Sequence, residues 1–238
     1  MKHYGNQIEN EIFWRGLLGG WEKVSIGLWL KLCKNSNVII DIGANTGVYA
    51  LTAKTINPKA KVFAFEPVKR VFLKLQKNIQ INNYNIIAIE KAVSNADGFA
   101  KIFDTISEHT TSVTVNQNLS PVGTKVIETK IEITTLNSFV KYYDINSIDL
   151  IKIDVETHEP EVLEGFSDYL RKFKPTILIE ILSDEIGERV NKIIDGMEYL
   201  YFNIDERGSI RQVKKIIKSD YYNYLLCKKE IAKELRIL

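Results

Sequence analysis

Two stretches of this chain concentrate side chains that could do chemistry. The first is Asp154-Val155-Glu156-Thr157-His158-Glu159, three carboxylates and an imidazole at the end of an apolar run. A hydroxyl is a weak nucleophile and needs a base or a metal while it attacks. Asp154, Glu156 and His158 are therefore candidates to orient and deprotonate an acceptor. His158 is the natural base, since an ordinary imidazole titrates at ~6.5; His109 is its rival, and His3 is expected to do nothing catalytic. The plainer account has Glu159 favouring a helix N-terminus and His158 on the surface. Asp154 and Glu180 end adjacent apolar runs and could hold a Mg²⁺ that acidifies the hydroxyl. A hard cation wants more oxygen ligands than these two supply.

The second stretch is Asp41-Ile42-Gly43-Ala44-Asn45-Thr46-Gly47, which follows the apolar run Val38-Ile39-Ile40. A buried strand, a tight loop of small residues and a helix bring backbone close to a nucleotide-like ligand. The next apolar run, Val62-Phe63-Ala64-Phe65, ends in Glu66, near the ~20-residue spacing of a ribose-reading acid. Asn45 stands where a dinucleotide loop has its second glycine. A pyrophosphate wants bare backbone there, so a nicotinamide-dependent oxidoreductase is disfavoured. An adenosine ligand without pyrophosphate fits, and S-adenosylmethionine is one.

These residues need a scaffold of alternating strands and helices. That alternation predicts an α/β fold, a mostly parallel sheet with helices on both faces and an antiparallel last strand. Residues 8–34 read as two helices broken at Gly19-Gly20, the second with Trp21, Val24, Leu28 and Leu32 on one face. Trp14, Trp21 and Trp29 are assigned to packing. Helices are expected from about Thr46 to Asn57-Pro58 and from Pro67, the latter with the stripe Val68, Phe72, Leu75 and Ile79. Strand three is 86–89, and a β-rich insertion at about 98–136 precedes strand four at 148–154. A helix near 160–173, a strand over 176–181, a helix over 184–195 and closing strands at 199–202 and 222–226 complete the chain. The last pair is read as antiparallel across the turn 205–208. Residues 1–36 form a helical lead-in, and 37–238 the main domain; the lead-in could lid the site or form a homodimer contact.

Composition narrows the partners. The net charge is only +2, with 32 Lys+Arg against 30 Asp+Glu, which argues against a nucleic-acid substrate. The locally basic C-terminal region (Arg211, Lys214, Lys215, Lys218, Lys228, Lys229, Lys233, Arg236) reads as a solvated face. Cys33 and Cys227 lie far apart among apolar residues and are expected to be buried thiols. With neither a signal-peptide pattern nor an apolar run of ~18 residues, a soluble cytoplasmic protein is the default expectation.

Taken in order, several pieces resemble the FkbM family of S-adenosylmethionine-dependent methyltransferases. They are the 41–47 stretch, Ala64-Phe65-Glu66-Pro67, Lys91-Ala92-Val93-Ser94, 148–156, Val162-Leu163-Glu164-Gly165 and 174–180, together covering roughly residues 38 to 182. Any one piece is weak, but the ordered set is specific. The resemblance implies a Rossmann-like, seven-stranded class I methyltransferase fold and O-methylation of a sugar, glycan or secondary metabolite. It implies that the loop Gly43, Ala44, Asn45, Thr46 and Gly47 holds the methionine portion, with Asp41 ordering that loop or its ammonium. Glu66 would then bind the ribose, and Ala92, Val93 and Ser94 would flank the adenine. One departure is Thr157, where the family usually has glycine. A protein or nucleic-acid methyltransferase, or a non-catalytic S-adenosylmethionine-binding module, is the alternative.

Overall fold

The computed structural model describes residues 1–2, 4, 7–20, 22–105 and 126–238. The lead-in forms α1 (Gln7–Arg15) and α2 (Lys23–Cys33). β1 (Val38–Ile42), α3 (Val48–Ile56), β2 (Lys61–Phe65), α4 (Lys69–Ile81) and β3 (Ile86–Ile89) follow. Next come β4 (Ala92–Val93), β5 (Gly98–Thr105), β6 (Val126–Thr134) and α5 (Leu136–Tyr142). The chain continues through β7 (Leu150–Ile153), α6 (Glu159–Glu164), α7 (Ser167–Phe173), β8 (Thr176–Glu180) and α8 (Asp184–Ile194). It closes with β9 (Leu200–Asp205), β10 (Ser209–Val213), β11 (Asn223–Cys227) and α9 (Lys229–Leu235).

Among the described residues the main sheet has eight strands in the order β10-β9-β11-β8-β7-β1-β2-β3. The β1, β2, β3, β7 and β8 neighbours are parallel, and β11 runs antiparallel to both β8 and β9. Central strands are apolar on both faces because helices cover both. Period-two alternation sends Ile40, Ile42, Ile151, Ile153, Ile177 and Ile179 to one side, against Leu136, Phe139, Val162, Leu163, Val190 and Ile194 of α5, α6 and α8. Ile39, Val62, Ala64, Leu150 and Leu178 face the other way, against residues of α2, α3, α4 and α9. Chain order runs outward from β1 to β3, then returns to β7 on the other side of β1. That reversal opens the crevice in which ligands bind beyond the strand ends.

Several expectations need correction. The helix expected near 160–173 is two short helices, broken around Gly165. A Cβ at Gly165 would lie 2.0 Å from the Ser94 carbonyl oxygen, so the chain turns there to pass that backbone closely. The seven strands implied by the resemblance are present, but β10 makes an eighth by hairpinning onto β9 across the 205–208 turn, and β9 also pairs with β11. Trp14 is 79% exposed, stacked edge-on against Phe13 rather than packed in the core, whereas Trp29 is fully buried. Trp21, His3 and His109 lie outside the described residues.

The insertion contributes a small sheet, β4-β6-β5, whose Ile102 and Ile131 rest on Val68 and Val71 at the start of α4. Both cysteines are free and buried. No helix among the described residues is long and apolar enough to cross a membrane.

Candidate active site

On the β1–β2 side, the loop after β1 is held by the tip of β2. The Gly43 and Ala44 N–H groups both donate to the Phe65 carbonyl, at 3.1 and 2.9 Å. Gly43 has φ +80°, and a Cβ there would sit 1.8 Å from the Asp154 carbonyl oxygen, so only hydrogen fits between the β1 loop and the end of β7. Asn45 also adopts a positive φ, 51°, a conformation that asparagine tolerates better than most residues.

Two buried acids anchor this side. Asp41 Oδ2 accepts the Ala50 N–H of α3 at 2.9 Å. Glu66 Oε2 accepts from Asn45 N at 3.0 Å while Oε1 accepts from Val68 N at 2.9 Å, so one carboxyl joins the loop to the start of α4. Burial pushes both carboxyls up to about 7, opposed for Asp41 by the Lys152 ammonium and for Glu66 by its backbone donors. Asn78 Nδ2 donates to the Thr46 carbonyl at 2.8 Å, tying the loop to α4 again.

The β7–β8 side is held by side chains instead. The backbone N–H of Asp154 donates to Ile42 O, which keeps the tips of β7 and β1 together. Its Oδ2 lies 3.0 Å from Lys152 Nζ, and Lys152 is buried to 1% exposure on the same face of β7. The ammonium also sits 5.1 Å over the Tyr49 ring. Burial by itself would depress the Lys152 pKa, but Asp154, Glu22 and Glu180 override it and hold the side chain charged.

Glu22, just before α2, is buried and accepts from the Tyr49 hydroxyl at 2.6 Å and from Asn223 Nδ2 at 2.7 Å. Burial drives Glu180 up to about 9, with Asp154, Glu156 and Glu159 adding to the rise and Lys152 opposing it. Glu159 is fully buried and pushed up to about 7 by that burial; its Oε1 accepts from Val155 N at 3.3 Å.

Of the residues singled out in sequence, Asp41, the 43–47 loop, Glu66, Asp154 and Glu180 converge at the chain-reversal crevice. Glu156 and Thr157 form the turn beyond Asp154, both with positive φ (53° and 77°). His158 has its own partners: its Nε2 meets Ser94 Oγ at 2.9 Å and its Nδ1 faces Glu161 Oε2 at 3.5 Å. Ala92 and Val93 form β4, and Ser94 follows directly.

The two acids considered for Mg²⁺, Asp154 and Glu180, share the Lys152 ammonium. Among the described residues no group of three or more His, Cys, Asp or Glu is placed to hold a metal ion.

Sequence reasoning passed over Lys152 and Tyr49, and named Glu22 only as part of a lead-in that could lid the site. Lys152 was detectable: a lysine inside an otherwise apolar strand, two residues before Asp154 and so on its face. For the partners of Glu22 no local signal exists, because Tyr49 and Asn223 lie far along the chain.

Comparison with known proteins agrees with this architecture. Residues 41–210 match the methyltransferase FkbM domain. The hexuronic acid methyltransferase AglP of Haloferax volcanii is 27% identical over 175 residues, covering 73% of this chain and 67% of that protein. The 2-O-methyltransferase NoeI of Sinorhizobium fredii is 30% identical over 153 residues, covering 58% of this chain and 61% of its own length. A crystal structure of methyltransferase FkbM from Methylobacillus flagellatus superposes with a TM-score of 0.53 at 14% identity. It shares the fold over 80% of this chain, and this chain spans 43% of that one.

Proposed function

The chain belongs to the FkbM methyltransferase family, and on that premise we propose that it methylates a hydroxyl of a sugar, glycan or secondary metabolite with S-adenosylmethionine as donor. The observation that carries the reading is the contact of Gly43 with Asp154. It sets a bare-backbone loop and a buried ribose-type acid, Glu66, directly beside an acidic strand tip. The residues present fit such a donor. The loop 43–47 offers backbone to the methionine portion, Asp41 orders that loop, and Glu66 is aligned by two backbone donors. Ala92, Val93 and Ser94 form the shelf for the adenine.

When bound, the donor would supply a sulfonium methyl group: an acceptor oxygen would bond to that carbon in line as the C–S bonding pair leaves with sulfur, giving the neutral thioether. This chain's part is alignment, which can supply ~7–11 kcal/mol of a barrier, together with removal of the acceptor's proton. Asp154, hydrogen-bonded to the Lys152 ammonium and still 28% exposed, is placed to take that proton, with Glu156 orienting the hydroxyl. The acceptor class draws support from relatives, one named for a hexuronic acid and one for 2-O-methylation.

Titration calorimetry with S-adenosylhomocysteine tests the donor assignment. The wild-type protein is expected to bind, and Glu66→Ala to bind at least about tenfold more weakly, as expected on losing a charge-assisted hydrogen bond. Unchanged affinity in the variant removes Glu66 from the ribose site.

A further inference from the structure

Four side chains outside the proposed proton-transfer pair form one connected line, Arg189–Glu161–His158–Ser94. Arg189 of α8 donates from Nη1 to Glu161 Oε1 at 2.6 Å and from Nη2 to Glu164 Oε1 at 2.8 Å. The guanidinium therefore occupies one oxygen of Glu161. The other oxygen, Oε2, is buried without a hydrogen-bond partner and faces His158 Nδ1 at 3.5 Å. A carboxylate facing one imidazole nitrogen favours the proton on that nitrogen. Burial holds the His158 pKa below the ordinary imidazole value, against Glu161 and Glu164 and with the help of Arg189, so the ring carries a single proton at neutral pH. With Nδ1 protonated, Nε2 is an acceptor, and the Ser94 hydroxyl must donate to it across 2.9 Å. A serine oxygen whose only hydrogen is committed offers a ligand nothing but lone pairs.

We propose that His158 is a positioning residue that polarises Ser94, so that the adenine shelf accepts a hydrogen bond and selects a purine carrying a 6-amino group over a 6-oxo purine. The proposal rests on the donor reading above and removes His158 from the role of acceptor base. The shelf is fixed independently of the ligand. Asn95 Nδ2 donates to Glu164 Oε2 at 2.8 Å, and Gly165 passes the Ser94 carbonyl with no room for a Cβ. Ser94 is therefore pinned at its backbone and side chain, and its oxygen keeps accepting capacity beyond the bond it donates to His158.

Calorimetry with S-adenosylhomocysteine and its 6-oxo counterpart, S-inosylhomocysteine, tests this on the full chain. The wild-type protein should prefer the amino compound by about tenfold or more, the scale of one hydrogen-bond polarity mismatch. Glu161→Gln is the informative variant. Arg189 demands an acceptor at its end of the amide, so the NH₂ group turns to His158, the ring takes the other tautomer, and the Ser94 hydroxyl is freed to donate. The preference should then fall below about twofold or invert; inversion is an outcome that simple loosening of the loop does not produce. Ser94→Ala, which leaves Glu161 and His158 in place, should abolish the preference too. A wild-type protein that binds both compounds equally, or a preference that survives Glu161→Gln and Ser94→Ala, overturns this proposal alone. Binding of neither compound to the wild-type protein overturns the donor reading and this inference with it.

Discussion

The two halves of the crevice hold their acids by different means. On the β1–β2 side, Asp41 and Glu66 accept backbone N–H groups from Ala50, Asn45 and Val68, so fold geometry alone sets their positions. On the β7–β8 side, Asp154, Glu180 and Glu22 surround one buried ammonium, Lys152, and part of the turn beyond them is strained. The first arrangement suits a ligand that is the same in every turnover. The second gathers several buried carboxyls around a single ammonium, beside the turn where we place the acceptor. A buried charge cluster of that kind is costly to break, and the two sides differ in the pH range over which their acids titrate.

The sharpest way to break the contrast is Lys152→Met, which leaves Asp154, Glu22 and Glu180 without their shared cation. Urea denaturation at pH 8 should show a loss of ~3–5 kcal/mol, the cost of stranding one member of a buried ion pair. The loss should be smaller at pH 5, where the carboxyls can take protons.

A second test separates the halves by pH. Glu66 and Asp41 are raised to about 7 and Glu180 to about 9, so the folded chain keeps protons the unfolded chain has released. The stability contributed by these groups is complete below their unfolded values and declines as pH rises, to about 7 for the first two and to about 9 for Glu180. Thermal melts of Glu180→Gln should therefore flatten between pH 7 and 9, while Glu66→Gln leaves that interval as in the wild type.

The smallest expected effect is at Thr157, a β-branched residue held at φ 77°. Thr157→Gly relieves left-handed strain but adds unfolded-chain entropy. The net should be ~1 kcal/mol of stabilisation, or about 2–4 °C in melting temperature. No gain would mean that the turn is not strained and that this half is better fitted than its geometry suggests.

Much of the β1–β2 side was legible because local features specify it: an apolar run, a small-residue loop and an acid at the next strand tip. Glu66 could be placed at a strand end from spacing alone. The β7–β8 side was legible only as a list of acids, since their surroundings depend on Lys152, Tyr49 and Glu22, which reach them through tertiary packing. β10 was missed because Ser209-Ile210-Arg211-Gln212-Val213 is a partly exposed edge strand with no apolar run. Helical periodicity carried straight across Gly165, where the close approach of Ser94 forbids a side chain. Trp14 shows that residue type alone does not assign a position to the core.

Glu22 carries one more consequence. The stretch that matches the family starts at residue 41, yet the carboxylate at 22 holds both the Tyr49 hydroxyl and the Asn223 amide, and the Trp29 indole donates to the Tyr49 carbonyl. Trimming a version of this protein to its recognisable region would delete the roof over its charged interior and leave two partners facing a hole. The boundary drawn by kinship falls well inside the boundary drawn by stability.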